Sequence, residues 1–305
     1  MSPSETPSPS ASVAPTEFPS PVERTATVLT TIRLEGLPQA TQIAIDNEVA
    51  WLRLADGRAA RVDTVTGAVV TVPVGTGEFG SLAVGEGAVW VTTFDEDKVS
   101  RIDPATNTVV AEIPVGANPE GIAITPGAVW VSNHRGGSIW RIDPMTNKVV
   151  AKVEVGPTGS SGPKDIQGAF GALWTSVPNA SLVVRLDPET NEVTTIDVAA
   201  VEYLIIGTEF VYAADALAQV NQIQPDSNEV VRQFEPDVVP WVFGNGAFWG
   251  ADGSDLLRLD PAGFAATEVW HVAGGQTEYA AMAFSAGSVW LLTNDGFLLE
   301  VELPS

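Results

Sequence analysis

The sequence predicts an all-β chain, a seven-bladed β-propeller closed by the N-terminal strand as fourth strand of the last blade. Three observations predict it. An apolar segment with an aromatic centre recurs at Trp51, Trp90, Trp130, Trp174, Tyr212, Trp249 and Trp290, at spacings of 37 to 44 residues. Between successive centres the chain reads as four short strands and their turns, the period and content of a propeller blade. Finally, strands such as Ala88-Val-Trp-Val and Leu182-Val-Val are apolar at every position instead of alternating, as strands covered on both faces must be.

Residues 1–25 precede the repeats and are rich in Pro and Ser with few large apolar side chains. They are expected to form an extended tether, leaving 26–305 as the propeller. The tract resembles the spacer of bacterial lipoproteins and the linker outside a membrane-spanning helix. A protein held outside the cytoplasm, as a surface lipoprotein or in secreted form, is the expectation that follows. Thr27 to Leu34 reads as a strand with no partner before it, and Leu298 to Leu303 as the third strand of the last blade. Pairing the two ends removes the sheet edges that invite aggregation.

The best-preserved repeat centres on Trp130. Gly121 to Thr125, Val129 to Asn133, Ser138 to Ile142 and Val149 to Val155 are its four β-branched runs. Asp143-Pro144 and Thr146-Asn147 supply turn chemistry, since Pro presets φ and the polar side chains bond nearby backbone. Arg61, Arg101, Arg141, Arg185 and Arg258 each stand two residues before an Asp. Residues two apart share a strand face, so each Arg is expected to pair with its Asp or bridge to the next blade.

Composition narrows the function. With 15 Lys plus Arg against 38 Asp plus Glu, the net charge of −23 repels nucleic acid and anionic membrane surfaces. A membrane is therefore reached only through an upstream anchor. The absence of cysteine removes disulfides, thiolate ligands and thiol nucleophiles. A chain of this length buries roughly 75% of its unfolded surface and needs no such staples. No apolar run is long enough to span a bilayer, and a monomer is the expected state.

The Gly-Ala-Val-Trp cores at Gly87 to Trp90 and Gly127 to Trp130, and the Val-Gly-x-x-Pro-x-Gly-Ile lead-in at Val115 to Ile122, resemble YVTN-type propellers and the streptogramin lyase (virginiamycin B lyase) superfamily. The similarity covers about residues 27–303. The resemblance implies a catalytic His in a Pro-His-Gly lead-in to the last blade, a Glu two residues earlier, a Glu four residues after the last Trp, and a magnesium ion between them. Counting from Trp290, this chain has Glu278 at the first Glu, Ala280 at the His and Asn294 at the second Glu. A shift of one residue would place Tyr279 at the His. Where those lyases carry another His, this chain reads Val239-Pro240-Trp241.

Loops between the second and third strands share one face with the loops between blades, and these loops carry the candidate site. Glu78, Asp95, Glu120, His134, Arg135, Lys164, Asp165, Tyr203, Trp241, Tyr279 and Asn294 are the expected ligand contacts. Clustered carboxylates favour a hard cation, so Glu78, Glu120 and Glu278 are candidate ligands for calcium or magnesium. Gly75 to Gly80 fits a dinucleotide-loop pattern, yet a strand follows it where a phosphate site needs a helix. The reading is a binding or sensor module whose acidic face takes a cation, a small molecule or an extracellular protein. The alternative is a divalent-metal-dependent lyase or hydrolase of lactone-like or depsipeptide-like substrates, with Tyr279 and His134 as its acid and base.

Overall fold

In the repeat centred on Trp130, Pro119–Thr125, Ala128–Asn133, Ser138–Asp143 and Lys148–Glu154 pair in that order as one antiparallel sheet. These are the four runs expected, the first three extended by a residue or two and the fourth shifted by one. The coordinates are a computed structural model, which describes residues 19–159, 162–215, 219–272, 278–285 and 287–303. Pro126-Gly127 joins the first two strands with Gly127 at φ +71, a conformation glycine adopts without steric strain. At the far turn, the Asp143 carboxylate accepts the Met145 N–H at 2.8 Å.

Four of the centres, Trp90, Trp130, Trp174 and Trp249, are pinned to the inner strand of their own unit. The indoles of Trp90, Trp174 and Trp249 donate to the carbonyls of Gly85, Ala169 and Gly244 at 3.0 to 3.1 Å, in each case five residues back along the chain. Arg101, Arg141 and Arg185 lie over the rings of Trp90, Trp130 and Trp174 at 5.1 to 5.9 Å. Arg101 and Arg141 also donate to Pro144 and Pro188 of the following unit. Arg101 and Arg141 therefore take the bridging role of the two expected, while Arg258 pairs with Glu268 of its own unit, because the Asp carboxylates are occupied in closing their turns.

Among the described residues the strands form five four-stranded sheets and one eight-stranded sheet. Neighbouring units bury their faces against each other. Trp51 packs with Val89 and Ile102, Trp90 with Val129 and Ile142, and so on around the molecule until Trp290 packs with Leu52 and Val62 of the first unit. The sheets therefore stand radially around an axis, the architecture of a β-propeller.

The last two units share the eight-stranded sheet. The N-terminal strand, Val22–Arg33, is twelve residues long and serves both. Thr27 to Arg33 runs antiparallel to Phe297–Glu302, and Val22 to Ala26 runs parallel to Ala266–Val272. Val22 to Thr25, assigned to the tether from composition, thus belong to the fold. Their polar side chains hide a strand held by backbone pairing instead of apolar burial.

Candidate functional site

The inner strand of each unit faces the axis, and its register follows from the Trp tie. Residues ten, nine and eight before each centre fall at one end of the channel. There they line a cavity of about 850 Å3. The position ten before the centre is occupied around the ring by Thr41, Gly80, Glu120, Lys164, Glu202, Val239 and Ala280. Three consecutive units thus carry Glu, Lys and Glu. An adjoining pocket of about 640 Å3 is lined on the opposite side by Val239, Trp241, Val242, Ala280, Ala281 and Met282, with Gln42 and Tyr203.

Backbone ties hold the charged side in place. Thr92, Ser132 and Ser176, each two residues after its centre, are fully buried. Their hydroxyls accept the N–H of Ser81, Gly121 and Asp165 in the same unit. They then donate to the carbonyls of Glu120, Lys164 and Glu202 in the next. Sequence reading missed these three residues. The signal was a small hydroxyl two places past the centre in three successive repeats.

The side chains form a chain of charges. Lys164 Nζ lies 3.8 Å from Glu120 Oε1 and is hydrogen-bonded to Glu202. His134 Nδ1 lies 3.9 Å from Glu120 Oε2 and is buried without a hydrogen bond. Burial raises the Glu120 pKa, against the opposing charges of Lys164 and His134. Burial also raises that of Asp165, whose carboxylate accepts the Leu204 N–H at 2.8 Å. Burial alone would lower the Lys164 pKa, but the Glu202 hydrogen bond and the surrounding carboxylates raise it on balance.

Of the expected contacts, Glu78, Glu120, Lys164, Asp165, Tyr203 and Trp241 line this cavity together with Glu202 and Phe79. His134 reaches it only through Glu120. Gly162 passes behind it, so closely that a Cβ there would sit 1.7 Å from the His134 carbonyl oxygen. Asp95 lies on an exposed 3-10 turn, Phe94–Glu96, outside the lining. Arg135 is exposed on the loop beyond His134, and Asn294 accepts a hydrogen bond from Gln39; neither lines the cavity.

Tyr279 is placed differently from the expectation of an acid or base at the mouth. It is 5% exposed in the core between the last two units, and its hydroxyl donates to the Ser254 carbonyl at 2.7 Å. Burial, then the Asp255 charge, pushes its pKa up to about 12. Glu278 precedes the inner strand Tyr279–Ser285 and is exposed away from the lining. The trio of Glu78, Glu120 and Glu278 is therefore not assembled. Among the described residues no group of three or more His, Asp or Glu is gathered as a metal ion would require. Gly75 to Gly80 is a loop with no helix after it.

These features define a β-propeller with an axial cavity. A family model described as a repeat of unknown function (DUF6923) matches residues 123–232. No curated protein matches the chain. Among solved structures, virginiamycin B lyase from Staphylococcus aureus is similar with a TM-score of 0.76 at 17% identity, over 90% of this chain and 99% of that one. A streptogramin B lyase gives 0.73 at 16% identity, over 90% and 97%. The WD40 domain of Pan2 from Neurospora crassa gives 0.72 at 12% identity, over 92% and 96%. A lyase and a WD40 domain fit almost equally well, so the likeness is one of fold.

Proposed function

We propose that the chain is a seven-bladed propeller, closed by its own N-terminal strand, that works outside the cytoplasm as a binding or sensor module. Its axial cavity takes a small organic ligand, charged or neutral, or a segment of an extracellular protein. The observation that carries this reading is the two-sided lining, charged on the units of Glu120, Lys164 and Glu202 and apolar around Trp241 and Met282. A cavity of about 850 Å3 is in the range of small-molecule sites, which join an apolar wall to a few fixed polar groups. Tying those groups to the next unit's backbone pre-organises them, which lowers the entropy lost on binding. The extracytoplasmic setting rests on the Pro- and Ser-rich residues 2–21.

Two experiments test the reading. A charge-diverse fragment library, screened by ligand-observed NMR, should give hits that Ala281→Trp abolishes at an unchanged unfolding midpoint, because that indole fills the cavity. Hits that survive in the variant, or a blank screen, would sink the reading. Chelation followed by calcium or magnesium should leave the unfolding midpoint unmoved, since no carboxylate trio is gathered among the described residues. A rise of about 5 to 10 °C would reinstate a cation site.

A second reading, a lyase or hydrolase, draws on Glu120 beside His134, a buried carboxyl with raised pKa next to an imidazole. It lacks a His at Ala280 and a Glu at Asn294, and its Tyr279 is locked in the core. Turnover of a lactone or depsipeptide that is lost in Glu120→Gln would favour it.

A further inference from the structure

The inference below rests on reading the axial cavity as a ligand site. We propose that its ligand is an amphiphilic organic cation, a primary or secondary ammonium carried on a flat apolar body.

Charge complementarity selects the head group. The lining carries four carboxylates, Glu78, Glu120, Asp165 and Glu202, against one cation, Lys164. All five belong to four consecutive units, so the field is concentrated on one side. Lys164 already sits between Glu120 and Glu202 and shows where an ammonium is stable. Glu78 has no ion pair among the described residues, and the Glu202 side chain is 44% exposed. Both remain open to a second ammonium. An anion would meet four carboxylates for one engaged lysine.

The opposite wall selects the body. Trp241 is 37% exposed, an unusual position for an indole in a concave wall, and its cavity neighbours are Val239, Val242, Ala281 and Met282. Gln42 and Tyr203 also line this wall, but their polar groups are engaged with Ser81, Leu82 and Pro240, which leaves the Trp241 indole N–H as its main polar offer. The apolar side chains offer contact area to an apolar group, and the indole face adds attraction for a nearby cation.

The test uses three probes of matched shape, 4-phenylbutylamine, 4-phenylbutanol and 4-phenylbutanoate, titrated by calorimetry at low salt. The amine should bind with a Kd on the order of 1 mM, as expected for a ligand of this size, and at least tenfold more tightly than the other two. Glu78→Gln and Glu202→Gln should each weaken the amine several-fold and leave the alcohol unchanged. Trp241→Ala should weaken both. All three variants change accessible side chains, and equal unfolding midpoints will confirm that they fold. If the alcohol or the acid equals the amine, or if the library hits lost in Ala281→Trp are neutral or anionic, the cation proposal is overturned while the cavity remains a ligand site. If neither these probes nor any library fragment binds, both readings fall together.

Discussion

Arg53 is fully buried with no carboxylate hydrogen-bonded to it, and its Nη2 donates to the carbonyls of Gly77 and Phe79 at 3.1 Å. Burial lowers its pKa, opposed by the charge of Asp56. It stands two residues after Trp51, where the next three units place Thr92, Ser132 and Ser176. The guanidinium does at longer reach what those hydroxyls do, tying down the loop that carries Glu78 and Phe79. Arg53→Met keeps much of the stem packing but leaves the carbonyls unpaired. An orphaned carbonyl that is buried costs about 1 to 3 kcal/mol; these two are part-buried, so the low end applies to each, and the unfolding midpoint should fall by about 4 to 8 °C, with faster hydrogen exchange at Thr76 to Gly80. An unchanged midpoint would show that the loop holds itself. Ser132→Ala orphans the Gly121 N–H and the Lys164 carbonyl, and at about 1 to 3 kcal/mol for each should cost about 2 to 6 kcal/mol in denaturant unfolding. Glu120 gives a pH signature. Its raised folded pKa means that the folded state takes up the proton more readily than the unfolded one. Its contribution is therefore full below the ordinary carboxyl value of 4.5 and is lost as pH rises through the folded value. Glu120→Gln should remove that falling component from stability measured between about pH 4 and 7. An identical slope in the variant would contradict burial as the dominant cause.

At the scale of strands, the sequence showed most of what the backbone dictates. The runs around each Trp were legible because both faces are buried. The channel lining was also countable, since four of the indoles tie to their inner strands at a fixed distance and so set the register. Glu120, Lys164 and Glu202 emerge from that count as neighbours. Two placements were not legible. Tyr279 looked like a mouth residue because it starts a strand, but the side-chain direction that sends its hydroxyl to Ser254 depends on the unit beside it. Val22 to Thr25 looked like tether because their pairing with Glu268 to His271 is parallel and distant in sequence. That pairing has a charged clasp. His271 lies 3.0 Å from Asp255 and 2.8 Å from Glu23, while Arg24 and Arg258 flank Glu268. The Asp255 hydrogen bond and charge, then Glu23, raise the His271 pKa. A His raised in the folded state stabilises it fully below its unfolded value near 6.5, and this contribution is lost as pH rises through the folded value. Exchange of the Val22 to Ala26 amides, corrected for intrinsic rates, should therefore be slower at about pH 6 than at about pH 8.5. His271→Gln should erase the difference. A difference that survives in the variant would assign it to another group.

For the whole molecule, the governing fact is that no unit buries its own faces. Each aromatic centre packs against the following unit, and Trp290 closes on Leu52 and Val62, so stability is a property of the ring. The N-terminal strand joins this ring at two places. Its second half fills the outer edge beside Phe297–Glu302, and Ile32 and Leu34 enter the Trp290 cluster, whereas its first half straps the neighbouring outer strand and buries only Ala26. Two truncations separate these contributions. A chain starting at Thr27 loses the strap with its exposed ion pairs, and exposed pairs contribute about 0 to 1 kcal/mol each. It should remain a monomer with a midpoint only a few degrees lower. A chain starting at Glu35 loses two core side chains and leaves a bare strand edge, which invites pairing between molecules. It should unfold early and associate in sedimentation experiments, and a peptide of residues 27–34 added in trans should restore the monomer. If the shorter chain instead stayed monomeric with the midpoint of the longer one, the N-terminal strand would be an ornament on the ring, and closure would have to come from the contact of Trp290 with the first unit alone.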